Sequence, residues 1–272
     1  MVGQEPPVIE HRPPFIWWKL PGRIWRFFGT GLSFVAFGLG GLFIGIFIFP
    51  FIFLFVRNPD SRQIVARRLV GWAFTVFIGM MNGLGVLSFE IEGAENAGVG
   101  NNQLIIANHP TLIDVVFLVS IFPMADCVVK EAVMKNPFMH GVVSSAKYIS
   151  SDDPAKLLDT CVMRLQSGAS LLLFPEGTRS VQGQPLKFKP GAASIAVRSG
   201  AEILPVTIQC TQPRLLAKHE PWYLVPADKP LFSIKIHPPM SLESMIPGDL
   251  HLRQATRTLN SMLSEFFAKE LF

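Results

Sequence analysis

The sequence predicts an α/β fold: a mostly parallel sheet flanked by helices, preceded by a hydrophobic, membrane-embedded helical segment. Three features predict it. After Gly93, short apolar runs alternate with amphipathic stretches, the pattern of strands joined by helical crossovers. Proline and glycine punctuate the junctions. From Phe27 to Val56 about 30 residues pass without a charge, more than the roughly 20 that one crossing needs. The expected division is an N-terminal membrane anchor over residues 1–85 and a second domain over 86–272.

The anchor comes first. Its apolar run is too long for a signal-peptide core. Gly38, Gly40, Gly41 and Pro50 interrupt it, so it reads as one kinked helix or a re-entrant hairpin. Arg12, Lys19, Arg23 and Arg26 precede it and Arg57, Arg62, Arg67 and Arg68 follow it. Basic residues on both sides favour the hairpin, with both ends cytoplasmic and Trp17, Trp18 and Trp25 at the headgroup level. A second uncharged stretch, Leu69 to Phe89, offers about 15 residues of helix, short for a crossing. Its end, with Val86, Leu87, Phe89 and Ile91, reads as a strand leading into the polar turn "GAENAGVGNN".

The alternation then begins. Strands are expected at 103–107, 126–129, 170–174, 203–208 and 231–237, and helices over 111–120 and 191–198. Pro154 opens a further helix that Gly168 stops, with Leu157, Leu158, Cys161, Val162 and Leu165 on one face. A final helix over 249–271 aligns Leu252, Ala255, Leu259, Met262 and Phe266.

Composition narrows the function classes. Hydrophobic residues make up 49% of the 272, with 23 Phe, which makes contact with a lipid bilayer the leading expectation. The net charge of +4 suits an anionic surface, but no basic stripe interleaved with aromatics appears, so no nucleic-acid partner is expected. Cys127, Cys161 and Cys210 stand apart, without metal-ligand or redox spacing; no metal is expected, and a reducing compartment is.

Two stretches carry chemistry. In "LIIANHPTLID", Leu104 to Asp114, strand-forming residues give way to His109, and Pro110 favours a strand-to-helix corner there. Asp114, in the first turns of the helix, can reach back to one imidazole nitrogen and leave the other to accept a proton. In "LLLFPEGTRS", a buried strand ends at Pro175 and releases Glu176, Gly177, Thr178 and Arg179 at the sheet's carboxyl edge, where open α/β sheets bind ligands. Gly177 permits a tight turn, and Arg179 offers a planar fork for phosphate or carboxylate.

Taken in order, "NHPTLID", "KEAVMKNPFMHG", "FPEGTRS" and "ILPVTI" resemble the four motifs of the lysophospholipid acyltransferase family, which includes 1-acylglycerol-3-phosphate acyltransferases. The resemblance implies an O-acyltransferase of phospholipid biosynthesis in which His109 is the general base and Asp114 its partner. It also implies that Glu176, Gly177, Thr178 and Arg179 bind the polar head of a lyso-lipid acceptor, that Lys130 assists with an anionic group, and that Pro205 shapes the acyl site. The donor would be acyl-CoA or acyl-carrier protein, a co-substrate, with no cofactor. The expected location is a membrane, with the catalytic domain on the cytoplasmic face, as at a bacterial inner membrane. "AKYISSDDP" departs from the family by lacking an arginine that contacts phosphate. The alternatives are therefore a non-phosphate acceptor, such as a lyso-aminolipid, glycolipid or hydroxylated acyl chain, or a catalytically inactive lipid-binding relative.

Overall fold

The computed structural model describes residues 19–98, 102–151, 153–181, 183–247 and 250–271. Arg12, Trp17 and Trp18, expected to flank the apolar segment, lie outside them. The chain enters through helix α1 (Leu20–Phe43), runs through a π-helical turn at Ile44–Ile48 into α2 (Phe49–Phe55), reverses, and returns as α3 (Pro59–Gly83). The apolar segment is thus one continuous helical rod, not a hairpin within itself. The π turn sits where Pro50 lacks an N–H to donate to the preceding turn, and the wider winding accommodates that loss.

Nor do the glycines break the rod. A Cβ at Gly41 would lie 2.5 Å from the Phe138 carbonyl oxygen, and one at Gly141 would lie 2.7 Å from the Gly45 Cα. These positions let two backbones cross in contact. The reversal comes at Asn58, whose side chain caps α3 by accepting from the Asp60 and Ser61 N–H groups. The second helix therefore starts at Pro59, upstream of Leu69. Both rods, Leu20–Phe55 and Pro59–Gly83, are long and apolar enough to cross a membrane.

Seven strands among the described residues build the sheet: β1 (Ser88–Glu92), β2 (Gln103–Ala107), β3 (Asp126–Val129), β4 (Ile149–Ser150), β5 (Leu171–Leu173), β6 (Glu202–Cys210) and β7 (Leu231–Ile236). Their order is β1-β7-β6-β2-β5-β3-β4, and every neighbouring pair is parallel except β6–β7. The helices that follow are α4 (Asp114–Ile121), α5 (Glu131–Met134), α6 (Pro137–Ala146), α7 (Pro154–Gln166), α8 (Gly191–Ser199), α9 (Leu242–Met245) and α10 (Leu252–Leu271).

Side chains alternate across the sheet, and each face is covered. Leu104, Ile106, Leu171 and Ile203 pack under α7, α8 and α10 with Cys161, Leu165, Ala193 and Leu259. Ile105, Ala107, Leu172, Leu204 and Val206 face the other way, into a core that includes Phe117 and Leu118 of α4 and Val70, Ile78 and Met81 of α3. Covering on both faces explains why β2 is buried at every position.

The return helix is part of this domain's core. Arg67 of α3 is buried and donates from Nε to the Ala146 carbonyl (2.9 Å), from Nη1 to the Met124 carbonyl (2.8 Å), and from Nη2 to the Asp126 carboxylate. By contrast, the outer face of α1 and α2 exposes Phe28, Leu32, Leu39, Phe43, Phe51, Leu54 and Phe55, an apolar strip of the kind that lies against lipid.

Candidate active site

Because β2, β3, β5 and β6 run parallel, their carboxyl ends share one edge of the sheet. That edge gathers Asn108 and His109 after β2, Lys130 after β3, and Phe174 to Arg179 after β5. The Asn108 amide fastens the corner: its Nδ2 donates to the Ile208 carbonyl at 2.8 Å, and its Oδ1 accepts the Ile208 N–H at 2.7 Å.

His109 Nδ1 lies 2.8 Å from Asp114 Oδ2. The Asp114 carboxylate is fully buried and also accepts from the Thr111 N–H at 2.7 Å and from the Thr111 hydroxyl. An ionised carboxylate only accepts, so Nδ1 carries the proton toward it and Nε2 keeps its lone pair. The imidazole stacks on Phe174, with ring centroids 4.2 Å apart, and its side chain stays 18% exposed while its partner has no exposure. The ring is thus held in one tautomer and one plane, with Nε2 free to take a proton.

Glu176 sits differently from what the motif implies. It is buried, and its Oε1 accepts the His109 backbone N–H at 2.9 Å and the Ser180 hydroxyl at 2.9 Å. The Ser180 N–H in turn donates to the His109 carbonyl at 2.7 Å. The carboxylate therefore ties the two loops together instead of standing out toward a head group. Burial raises its pKa, opposed by these hydrogen bonds and by His109.

Gly177, in the left-handed region at φ 66°, and Thr178 are exposed at the turn. Arg179 is half-buried and donates from Nη1 to the carbonyls of Leu216 and Ala217, both at 3.1 Å. That single nitrogen holds the loop after β6; Nε and Nη2 make no hydrogen bond among the described residues. Lys130 is exposed at the start of α5.

Pro205 lies within the buried sheet, paired with Ile106, and not at the edge. Its carbonyl accepts the His237 N–H at 3.0 Å on the side of β7. The donor that proline lacks would face that same side, just beyond the last β6–β7 pair, Val206 with Ile236.

Thr111, Ser180 and Asn108 complete the site, and sequence reasoning gave them no role. A hydroxyl two residues after the histidine was the available signal for Thr111. Ser180 had only its place at the end of the turn after β5. The cysteines supply no nucleophile: burial pushes Cys127 up to about 12 and Cys210 to about 11, so both remain thiols. No cluster of potential metal ligands exists among the described residues.

A predominantly parallel α/β sheet with a His–Asp pair at its carboxyl edge defines the class, and the comparisons agree with it. Residues 88–209 match the model of the Acyltransferase family. Several similar proteins are 1-acyl-sn-glycerol-3-phosphate acyltransferases. A chloroplastic 1-acyl-sn-glycerol-3-phosphate acyltransferase of Arabidopsis thaliana is 31% identical over 128 residues, 44% of this chain and 36% of that protein. The enzyme of that name from Pseudomonas aeruginosa is 31% identical over 129 residues, 44% of this chain and 49% of its own. The human alpha form is 23% identical over 233 residues, 83% of this chain and 77% of its own. The match to the first relatives spans about a third to a half of their length, from 36% to 51%. The crystal structure of the 1-acyl-sn-glycerophosphate acyltransferase from Thermotoga maritima shares the fold at a TM-score of 0.67 and 21% identity, covering 89% of this chain and 98% of that one.

Proposed function

We propose that this protein transfers a fatty acyl group from a thioester donor, acyl-CoA or acyl-carrier protein, to the hydroxyl of a lyso-lipid such as 1-acylglycerol-3-phosphate. The observation that carries the reading is the 2.8 Å contact between His109 Nδ1 and the buried Asp114 carboxylate, which leaves Nε2 as a base at an accessible edge. Nε2 removes the acceptor hydroxyl's proton as its oxygen attacks the thioester carbonyl. The tetrahedral intermediate collapses, the C–S bond breaks, and the imidazolium returns the proton to the departing sulfur. An ester and a thiol result, and Asp114 stabilises the ring while it is charged.

Arg179, Gly177, Thr178 and Lys130 line the same edge and serve the acceptor's head. Glu176 acts by holding His109, and Pro205 by its place in the sheet below. The names of the similar proteins favour lysophosphatidate as acceptor.

An N-terminal anchor would hold this chemistry at a bilayer, and the way its helices attach to the domain supports that reading. Trp25 Nε1 donates to the Leu84 carbonyl at 2.7 Å, and Arg26 Nε donates to the Pro226 carbonyl at 3.1 Å, so the start of α1 rests beside the end of α3 and the loop after β6. Arg67 ties the beginning of α3 to the same domain. Helices attached to the domain at both ends support an anchor that keeps both ends on one side, the cytoplasmic side where soluble donors are.

Membranes carrying the protein, given labelled acyl donors and a panel of lyso-lipids, should yield phosphatidate detectable by mass spectrometry. Product from an uncharged or amino-lipid acceptor in its place would redirect the acceptor assignment. No product from any acceptor would refute the activity. An N-terminal cysteine that reacts with a reagent confined to the outside would refute the topology.

A further inference from the structure

Behind the catalytic corner lies a cavity of about 310 Å³, walled by Asn108, Ser180, Gln184, Gln209, Gln212 and Arg214 among others. It is large beside the roughly 30 Å³ that one water occupies in the liquid. Arg214 is the one cation among the described residues that line it, and none of them is a carboxylate. Its Nε and Nη1 are buried and have no hydrogen-bond partner among the described residues. A guanidinium cannot shed its charge at neutral pH, so two desolvated N–H donors without an acceptor are costly unless something fills the cavity.

The cavity shares its walls with the site. Asn108 and Ser180 adjoin His109 and Arg179 in the chain, and Arg179 grips the Leu216 and Ala217 carbonyls of the loop that carries Arg214. An anion with several oxygens would supply acceptors to both donor nitrogens of Arg214.

We propose that Arg214 and this cavity bind a phosphate monoester group, with the side-chain amides of Gln184 and Gln212 at the rim as further donors. Phosphate matches the chemistry: it supplies the acceptors that Arg214 is missing and its charge is opposite in sign. Which substrate carries the phosphate, the lyso-lipid's head or the donor's nucleotide, rests on the acyl-transfer reading.

The purified full chain in detergent tests the site first without catalysis, by its melting temperature with glycerol 3-phosphate and with glycerol. Wild type should be stabilised by glycerol 3-phosphate and not by glycerol. Arg214→Gln should melt at or above wild type without ligand, because the unpaired buried cation is gone, and gain nothing from glycerol 3-phosphate. Arg214→Lys, which keeps the charge with fewer donors, should show an intermediate gain and carries the test if the glutamine variant does not fold. No stabilisation of wild type, or an equal gain in wild type and variants, overturns the proposal.

Kinetics then identifies the source. A rise of about 10- to 100-fold in the apparent constant for lysophosphatidate, absent with monoacylglycerol, supports the acceptor's phosphate. The same rise for acyl-CoA, absent with an acyl-pantetheine lacking phosphate, supports the donor's. A fall in kcat shared by every substrate, with unchanged constants, overturns the proposal in favour of a structural arginine. Stabilisation lost in Arg214→Gln by a protein that transfers no acyl group would refute the catalytic reading and leave the phosphate site standing.

Discussion

Arg67 and Asp126 form a buried ion pair between the second apolar helix and the first residue of β3, with side chains 6% and 0% exposed. The guanidinium also caps the Met124 and Ala146 carbonyls, so one residue closes the gap between α3, the α4–β3 turn and the end of α6. Removing one partner of such a pair leaves an uncompensated buried charge. Asp126→Ala should destabilise the fold by about 3–5 kcal/mol. In a double-mutant cycle, Arg67→Met with Asp126→Ala should cost less than the sum of the single changes, measured by thermal unfolding in detergent. Additive costs would mean that the pair is not coupled.

The Thr111 hydroxyl and the His109 ring share the Asp114 carboxylate. His109→Ala should abolish turnover while membrane association and melting temperature stay near wild type. Asp114→Asn should fall by about 10³- to 10⁴-fold, because the ring loses the charge that orients it. Thr111→Ser should stay near wild type and Thr111→Val should lose about tenfold, the cost of one buried hydrogen bond to a charged group. Equal rates for the valine and serine variants would show that the hydroxyl contributes nothing.

Glu176 separates holding from head-group binding. Gln keeps an acceptor for the His109 N–H and the Ser180 hydroxyl, so Glu176→Gln should retain activity within about tenfold, and Glu176→Ala should lose much more. A large rise in the acceptor constant confined to the glutamine variant would return Glu176 to the head group.

The same carboxyl predicts a pH dependence. Burial raises its folded pKa, so the folded state binds this proton more tightly than the unfolded chain. Its contribution to stability is full below the ordinary Glu value of about 4.3 and is lost as pH rises through the folded value. Glu176→Gln should flatten that part of the stability curve. An unchanged slope in unfolding experiments from pH 4 upward, over about 3 units, would contradict the assignment.

The helix crossing offers a contrast between neighbours. A side chain at Gly41 meets the Phe138 carbonyl, whereas one at Gly40 meets nothing within 4 Å. Gly41→Val should cost about 1–3 kcal/mol by forcing the backbones apart. Gly40→Ala should be neutral or stabilise by up to about 1 kcal/mol through helix propensity. Equal melting temperatures for the two variants would show that α1 does not cross α6 in contact.

Much of the domain could be read locally. The limits of β2 and β3 and the helix opened by Pro154 follow from side-chain period and from proline at the junctions, which act over a few residues. The corner at His109 is legible for the same reason: its partner lies five positions away on the same turn of chain. The segment Leu69 to Phe89 shows where local reading stops. The arginines before it, Arg62, Arg67 and Arg68, read as a membrane flank, but they lie within α3, where Arg67 is buried because a carboxylate 59 positions later meets it.

By itself, then, the sequence determined the limits of β2 and β3, the helix opened by Pro154, the strand-to-helix corner at His109 and Asp114, and the apolar length of the first N-terminal rod. Those properties depend on dihedral preference and hydrophobic period between near neighbours. Only the tertiary structure decided that the rods pair as a hairpin resting on the sheet and that β7 runs against β6. It also turned Glu176 inward to hold His109, sank Pro205 into the sheet, and left Arg214 Nε and Nη1 without a hydrogen-bond partner among the described residues, in a cavity beside the site. Each of these depends on a backbone carbonyl, a charge or a void contributed by residues far away in the chain, and a local pattern carries no record of which distant group will arrive.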